Sequence, residues 1–167
     1  MLAPTPLKVT KSNGELIDEV KFILDLIAEN DIVLSSGHLN ISEIWPLFDE
    51  AKKRGVNRLL CNHPTYVIGA SLDDITRLVG MGAYIEHSMC MFVQRSKYKF
   101  YEPDELDKMI KAAGVDKTIL GSDLGQVGNP SPVDGFRGVI NICLELGYGE
   151  NEIRKLISEN ASKLIGI

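Results

Sequence analysis

The sequence predicts an α/β protein in which short parallel strands alternate with helices. Four short apolar runs each end on polar residues, and segments with helical spacing of apolar residues lie between them. The runs show no polar and apolar alternation, which is typical of strands covered on both faces. They are Ile32–His38, Arg58–Pro64, Ala83–His87 and Thr118–Gln126. This order of strands and helices favours a parallel sheet with right-handed crossovers.

Two architectures fit this pattern. A complete (β/α)₈ barrel takes ~250 residues, or ~31 per unit. The 167 residues of this chain therefore predict a partial (β/α) barrel of about five units, folded as a single domain over residues 1–167. The alternative is a flavodoxin-like, doubly wound sheet of five strands, which also fits this length. Both architectures place function at the carboxyl ends of the strands.

The first half of the chain predicts two helices and a short leading strand. The strand covers Leu7–Thr10, and a helix over Glu15–Asn30 follows, in which apolar residues recur at helical spacing. After the run that begins at Ile32, either Asn40 or Ser42 is a suitable cap for a second helix that ends near Arg54. We expect Pro46 to lie near the first turn of that helix, where its missing N–H costs nothing.

The second half continues the alternation. Ser71, followed three residues later by an aspartate, predicts a capping box that begins a short helix. Ser88–Tyr101 is the longest irregular stretch and is typical of a lid or binding loop. Pro103 begins the next helix. The remaining predicted elements are strand Lys117–Gly121, a helix from about Gly135 to Leu146 and a final helix over Glu150–Leu164.

Composition and charge narrow the function classes. A net charge of -5 gives no electrostatic reason to expect nucleic acid or an anionic membrane, and a small-molecule substrate is favoured. The first residues lack the pattern of a signal peptide, and no run reaches the ~18 apolar residues of a membrane span, so we expect a cytoplasmic protein. The three cysteines form no CxxC pair and are expected to be free thiols.

The polar residues at the strand ends predict a metal site. His38, His63 and Asp123 come from separate strands, and two imidazoles with a carboxylate can hold a divalent cation while leaving one position open for water. The expected ion is zinc, with manganese or iron as alternatives. Such an ion lowers the pKa of its water, and a nearby carboxylate takes the proton during attack on a carbonyl or phosphoryl centre. We predict Asp123, His63 and Glu86 as catalytic residues.

Two further residues are predicted to contact substrate. Side chains alternate along a strand, so only one of the neighbours Glu86 and His87 faces the site, and His87 is a candidate for orienting the substrate. Arg95 lies in the irregular stretch and is a candidate for binding an anionic group. Each assignment has a structural alternative: a solvated loop for Arg95, a simple turn at His63 and a capping role for Asp123.

Four motifs together resemble the C-terminal part of the amidohydrolase superfamily of metal-dependent hydrolases. They are Ser36-Gly37-His38, Asn62-His63-Pro64, Gly121-Ser122-Asp123 and the terminal segment Glu159–Gly166. The resemblance implies a (β/α)₈ barrel with one or two divalent metals, often zinc, at the strand ends. By motif, His38 matches the fifth-strand histidine ligand, His63 the sixth-strand histidine, and Asp123 the eighth-strand aspartate that binds metal and handles the proton. It implies hydrolysis of a C–N or C–O bond in an amide, lactone or cyclic amide.

The sequence also departs from that family. The first-strand His-x-His pair has no counterpart, because the only histidines are His38, His63 and His87. A second hypothesis is therefore a catalytically inactive part-barrel that acts as a binding or assembly module. An open part-barrel exposes sheet edges and an apolar interior, so we expect a homo-oligomer or a complementing chain that covers them. A flavodoxin-like phosphate binder is disfavoured, since no GxGxxG or GxxxxGK[ST] segment follows a strand.

Overall fold

The protein is a four-stranded parallel sheet with helices packed on one of its faces. The computed structural model describes residues 8–64 and 66–167. The strands are Leu34–Ser35 (β1), Leu59–Asn62 (β2), Tyr84–Ser88 (β3) and Thr118–Gly121 (β4). The helices are Asp18–Glu29 (α1), Ile41–Lys53 (α2), Leu72–Gly80 (α3), Pro103–Ala113 (α4), Pro132–Glu145 (α5), Glu150–Arg154 (α6) and Asn160–Ile165 (α7). Short 3₁₀ turns lie at Met89–Met91 and Val115–Lys117, and a π turn at Lys155–Glu159 joins α6 to α7.

The order of the strands decides between the two predicted architectures. The order in the sheet is β1-β2-β3-β4, so each strand pairs in parallel with its neighbour in the chain. A flavodoxin-like sheet has the order 2-1-3-4-5 and carries helices on both faces. Right-handed crossovers between strands in sequential order place every connecting helix on one face, as in a (β/α) barrel. The prediction of an α/β partial barrel is confirmed.

The two faces of the sheet differ in burial. The outer face, which the helices cover, carries Leu59, Cys61 and Ile85, each exposed by 1% or less. On the opposite face, here called the inner face, Leu60 and Tyr84 are only half-buried. The inner face consists of Ser35, Leu60, Asn62, Tyr84, Glu86, Ser88, Ile119 and Gly121, which the strand register places side by side. One side of the sheet is therefore core and the other is the partly open interior of the part-barrel.

Helix starts follow the local sequence. The Asn40 side chain accepts a hydrogen bond from the Ser42 N–H, and Ser71 with Asp74 forms a complete capping box. Pro46, however, lies inside α2 beyond its first turn, so one backbone hydrogen bond of that helix is lost. Among the described residues, no helix has the length and apolar character needed to span a membrane.

Two predicted segments differ from the structure. The strand predicted for Leu7–Thr10 is absent from its described part, where Thr10 makes a single antiparallel bridge to Leu16, and Leu7 lies outside the described residues. The described sheet therefore has four strands. Within Ser88–Tyr101, the first residues are core: Met89–Val93 is buried, because its apolar side chains pack beneath α5. Only the later part of this segment is exposed enough to act as a loop.

The terminal helical segment anchors the last strand. The fully buried Asn160 side chain donates two hydrogen bonds of 2.7 Å from Nδ2, to the carbonyls of Val115 and Thr118. These carbonyls lie at and just before the start of β4. Arg58, just before β2, donates to the Leu164 carbonyl at 3.3 Å. The terminal motif thus ties the amino ends of two strands together and fixes the position of the opposite, carboxyl ends.

Candidate active site

Two imidazoles lie next to each other at the carboxyl ends of β1 and β2. The ring centroids of His38 and His63 are 5.0 Å apart, with the rings tilted by 58°. His38 is exposed, whereas the His63 side chain retains only 15% of its exposure. The structure therefore brings together the two histidines predicted to share a site.

His63 is held by β3 through both its backbone and its ring. Its N–H donates to the Glu86 carbonyl at 3.1 Å, and its Nδ1 lies 2.6 Å from the Ser88 hydroxyl and 3.5 Å from Glu86 Oε2. Its φ of 46° is in the left-handed region, which non-glycine residues seldom adopt. Strained backbone of this kind is concentrated at functional sites.

Glu86 is the buried carboxylate of the site. It is 8% exposed and accepts hydrogen bonds from Asn62 Nδ2 at 3.3 Å and from the Ser88 hydroxyl at 3.2 Å. Burial raises the pKa of Glu86, and the negative charge of Asp123 raises it further, while His63 and the two donors oppose this. The strand register pairs Ser88 with Gly121, which places Asp123 two residues beyond the strand pair that carries Glu86.

Asp123 follows β4 and presents an exposed carboxylate. Its φ of 44° is also in the left-handed region. The buried Cys90 thiol donates to its Oδ2 at 3.5 Å. Burial raises the pKa of Cys90 to about 12, and the charge of Asp123 adds to the shift, so this thiol remains protonated and is no nucleophile. Asp123 therefore lies at the predicted strand end with its carboxylate open to solvent.

The substrate-contacting role predicted for His87 does not fit its position. His87 is paired with Leu120, is 2% exposed and faces the helices, whereas its neighbour Glu86 faces the inner face. Its Nε2 is buried without a hydrogen-bond partner among the described residues. Strand alternation allows only one of the two neighbours to face the site, and the structure selects Glu86.

Arg95 lies away from the strand-end group. It is exposed, has a φ of 66°, and lines a cleft of about 650 Å³ between the loop before α4 and helix α5. Asn129, Asn141 and Glu145 line the same cleft, which contains none of the other predicted site residues. The predicted anion-binding role of Arg95 therefore belongs to a separate cleft.

The predicted metal ligands fit a metal centre only in part. His38 and His63 are adjacent, but His63 Nδ1 is engaged with Ser88, leaving Nε2 as its available nitrogen. Over residues 8–64 and 66–167, no three His, Cys, Asp or Glu side chains are close enough together to hold an ion. The side chains of His38, His63 and Asp123 therefore do not lie as an assembled metal centre in the described structure, and we assign no chemical step to a metal.

Sequence reasoning missed four residues of the site. Ser88 joins His63 to Glu86, and Asn62 donates to Glu86 while its Oδ1 accepts from Ser35. Gly121 leaves space for the Glu86 carboxylate, since a Cβ at this position would overlap Oε1. Ser88 could have been found because it lies two residues after Glu86 and shares its face. The role of Gly121 depends on a side-chain position that spacing does not reveal.

Comparison with known proteins identifies a family. A model of DUF6282, a family of unknown function, matches residues 2–86. The chain belongs to this family. The matched part contains β1, β2 and the first three residues of β3, with His38, His63 and Glu86, and it ends before Asp123. No curated protein matches the chain.

A solved structure shows the same fold. It is the crystal structure of a protein from Pseudomonas putida named as a "putative 2-pyrone-4,6-dicarboxylic acid hydrolase". The TM-score is 0.61 at 16% sequence identity, and the similarity covers 92% of this chain. The chain spans 60% of the length of that structure. At this identity the similarity shows the fold alone, which is part of a (β/α) barrel.

Proposed function

We propose that this protein is a hydrolase that cleaves a C–N or C–O bond in a small substrate such as an amide, lactone or cyclic amide. The observation that carries the proposal is that His38 lies beside His63, and His63 beside Glu86, at the carboxyl ends of neighbouring strands. Asp123 follows two residues after Gly121, which pairs with Ser88 of β3. This edge is where (β/α) barrels carry their active sites. The name of the structurally similar protein from Pseudomonas putida supports the same class of reaction.

The exposed carboxylate of Asp123 is the proposed general base. It takes a proton from a water molecule whose oxygen attacks the substrate carbonyl carbon. The C–N or C–O bond then breaks, and the same proton passes to the leaving nitrogen or oxygen. His38 and His63 contact the substrate from β1 and β2. Glu86 is too buried to meet water and acts through His63, so we assign it a positioning role.

The experiment that tests this function is a hydrolysis screen. The purified chain is incubated with a panel of lactones, cyclic amides and linear amides, including carboxylated members, and products are measured by liquid chromatography with mass spectrometry. We expect turnover in at least one of these classes, because the site offers a base and two imidazoles to an attacked carbonyl. Absence of turnover across all three classes, from protein shown to be folded, would contradict the proposal.

The divalent ion is a separate proposal, supported by the adjacent imidazoles of His38 and His63, with the Asp123 carboxylate as the third ligand. It requires these three side chains to come closer together than they lie in the described structure. It predicts about one zinc, manganese or iron per chain in protein purified without chelator or His-tag, measured by inductively coupled plasma mass spectrometry. The ion should be lost in His38→Ala and Asp123→Ala. His87→Ala, which changes a histidine on the other face of the sheet, is the matched control. Metal-free protein, or metal retained in both variants, would contradict the ligand set.

We also propose that the protein self-associates. Three neighbouring apolar side chains of α1 are exposed, namely Phe22 at 63%, Ile23 at 51% and Leu26 at 42%. A contiguous apolar patch of this kind is typical of an interaction surface. Sedimentation velocity should show a dimer or larger species, and Leu26→Glu should shift it toward the monomer.

The matched control is Val133→Glu, which changes an exposed apolar residue on α5. We expect this variant to sediment like the wild type, because Val133 lies on a different helix from the patch. A wild-type monomer at high concentration, or equal dissociation in both variants, would show that the α1 patch is no interface.

A further inference from the structure

We propose that Glu86, Ser88 and Gly121 form a positioning device that holds the His63 ring with its proton on Nδ1 and leaves Nε2 free to accept a hydrogen bond from the substrate. The device deepens the proposed function, and its catalytic role rests on that function. Its structural consequence, the tautomer of His63, is independent of any activity.

The Glu86 carboxylate accepts hydrogen bonds from Asn62 and Ser88, and a chain of further hydrogen bonds orients the Asn62 amide. The Gly37 N–H donates to the Ser35 hydroxyl at 3.2 Å, and that hydroxyl donates to Asn62 Oδ1. This fixes the Asn62 amide with Nδ2 toward Glu86 Oε2, at 3.3 Å. Since one oxygen of Glu86 receives Asn62 and the other receives Ser88, the carboxylate acts as an acceptor on both sides.

The Ser88 hydroxyl then determines the tautomer of His63. A serine hydroxyl has one proton to donate, and Ser88 lies 3.2 Å from Glu86 Oε1 and 2.6 Å from His63 Nδ1. If the proton is donated to the carboxylate, the short contact with His63 requires that Nδ1 carries a proton and donates to Ser88. The second contact of Nδ1, with Glu86 Oε2 at 3.5 Å, favours the same arrangement.

The opposite ring nitrogen is thereby left available. His63 Nε2 makes no hydrogen bond within residues 8–64 and 66–167, and the side chain keeps 15% of its exposure. The left-handed backbone of His63 and the bond from its N–H to the Glu86 carbonyl fix the ring from the backbone side. A rigidly held ring with one unprotonated nitrogen is suited to accept a hydrogen bond from the substrate.

A side chain at Gly121 would displace the Glu86 carboxylate, which occupies that space. A Cβ built on Gly121 would overlap Glu86 Oε1 and approach its Cδ to 3.3 Å. The backbone of Gly121 does not have a positive φ, so conformational freedom does not explain the glycine. The absence of a side chain on β4 is what allows the carboxylate of β3 to lie beside Ser88 and His63.

The test is nuclear magnetic resonance of ¹⁵N-histidine-labelled protein, recorded with long-range ¹H–¹⁵N correlations at a pH where the rings are neutral. With only three histidines, single substitutions assign every ring. We expect His63 to show a protonated Nδ1 and an unprotonated Nε2. The reverse pattern, with the proton on Nε2, would mean that Ser88 donates to His63 and would overturn the proposal.

Substitutions around His63 test whether its tautomer depends on Ser88 and Gly121 and not on the general stability of the protein. Ser88→Ala and Gly121→Ala should each abolish the single tautomer, so that the two ring nitrogens of His63 shift toward averaged values. Gly80→Ala is the matched control, because no atom lies within 4 Å of the position that an added Cβ would take and the φ of Gly80 is not positive. It should leave His63 unchanged. Unaltered ¹⁵N signals of His63 in both Ser88→Ala and Gly121→Ala would contradict the proposal that these residues hold the tautomer.

The outcomes also distinguish this inference from the proposed function. If His63 has the expected tautomer but no substrate is hydrolysed, the device stands and the hydrolase proposal fails. If the protein hydrolyses a substrate while His63 carries its proton on Nε2, the function stands and the device fails. Unchanged signals from the buried His87 confirm that a variant remains folded.

Discussion

Asp123→Asn is expected to lower kcat/KM for the hydrolysed substrate by about 10²–10⁴-fold, the usual contribution of a general base. Asparagine keeps the size of the side chain but cannot take a proton from water. The exposed Asp123 carboxylate accepts one hydrogen bond from the Cys90 thiol, so the substitution leaves the packing of the site nearly unchanged. Steady-state kinetics of the best substrate from the hydrolysis screen measures the effect.

The control for this prediction is Asp104→Asn, which changes an exposed carboxylate in the first turn of α4. We expect its kcat/KM to stay within about twofold of the wild type, because surface substitutions away from a site have small effects. If Asp123→Asn keeps the wild-type rate, another group is the base. A loss in both variants would indicate general destabilisation.

The second large effect is a loss of stability in mild acid that depends on His87. Burial lowers the pKa of His87 from 6.5 to about 4, and the charge of His63 adds to the shift. The unfolded chain therefore binds the proton more readily, and stability falls as the pH falls from 6.5 toward 4. The size of this shift corresponds to a loss on the order of 3 kcal/mol in the free energy of unfolding.

Replacing His87 by leucine should remove most of this decline. Urea unfolding at a series of pH values and one protein concentration measures it. Glu86, whose pKa burial raises, acts in the opposite direction, because its contribution to stability decreases as the pH rises. The pKa of carboxylates such as Asp107 is also lowered by folding, but this changes the free energy of unfolding only below pH 3.8, the ordinary pKa of the group.

The control is His38→Ala, at an exposed position, which should keep the wild-type decline in stability. An equal decline in His87→Leu would contradict the assignment.

The sequence could predict the strand ends because each is marked by a change from apolar to polar residues. His38, His63 and Glu86 lie where the parallel-sheet pattern placed them, since carboxyl ends of parallel strands meet at one edge. The part-barrel was favoured over the doubly wound sheet by the count of units and by the family resemblance, whereas the local patterns are the same in both architectures. Strand order is a long-range property that depends on tertiary contacts.

The details of the site depend on side-chain packing and were harder to predict from the sequence. Strand alternation showed that only one of Glu86 and His87 faces the site, but both faces of β3 are buried, so burial did not decide which. The reason for a glycine at position 121 is the space that the Glu86 carboxylate occupies, and the sequence does not reveal the conformation of Glu86. Pro46 lies one turn further into α2 than the sequence predicts. The packing of α2 on the core compensates for the backbone hydrogen bond that the proline removes.

The measurement that tests the central claim most directly compares hydrolysis by the wild type with that by the double variant His63→Ala/Asp123→Asn. Product formation from the best lactone or amide is followed by mass spectrometry, and circular dichroism confirms that both proteins are folded. We predict turnover by the wild type and background rates in the double variant, because the strand-end residues of β2 and β4 perform the reaction. Turnover that survives in the double variant would contradict the account.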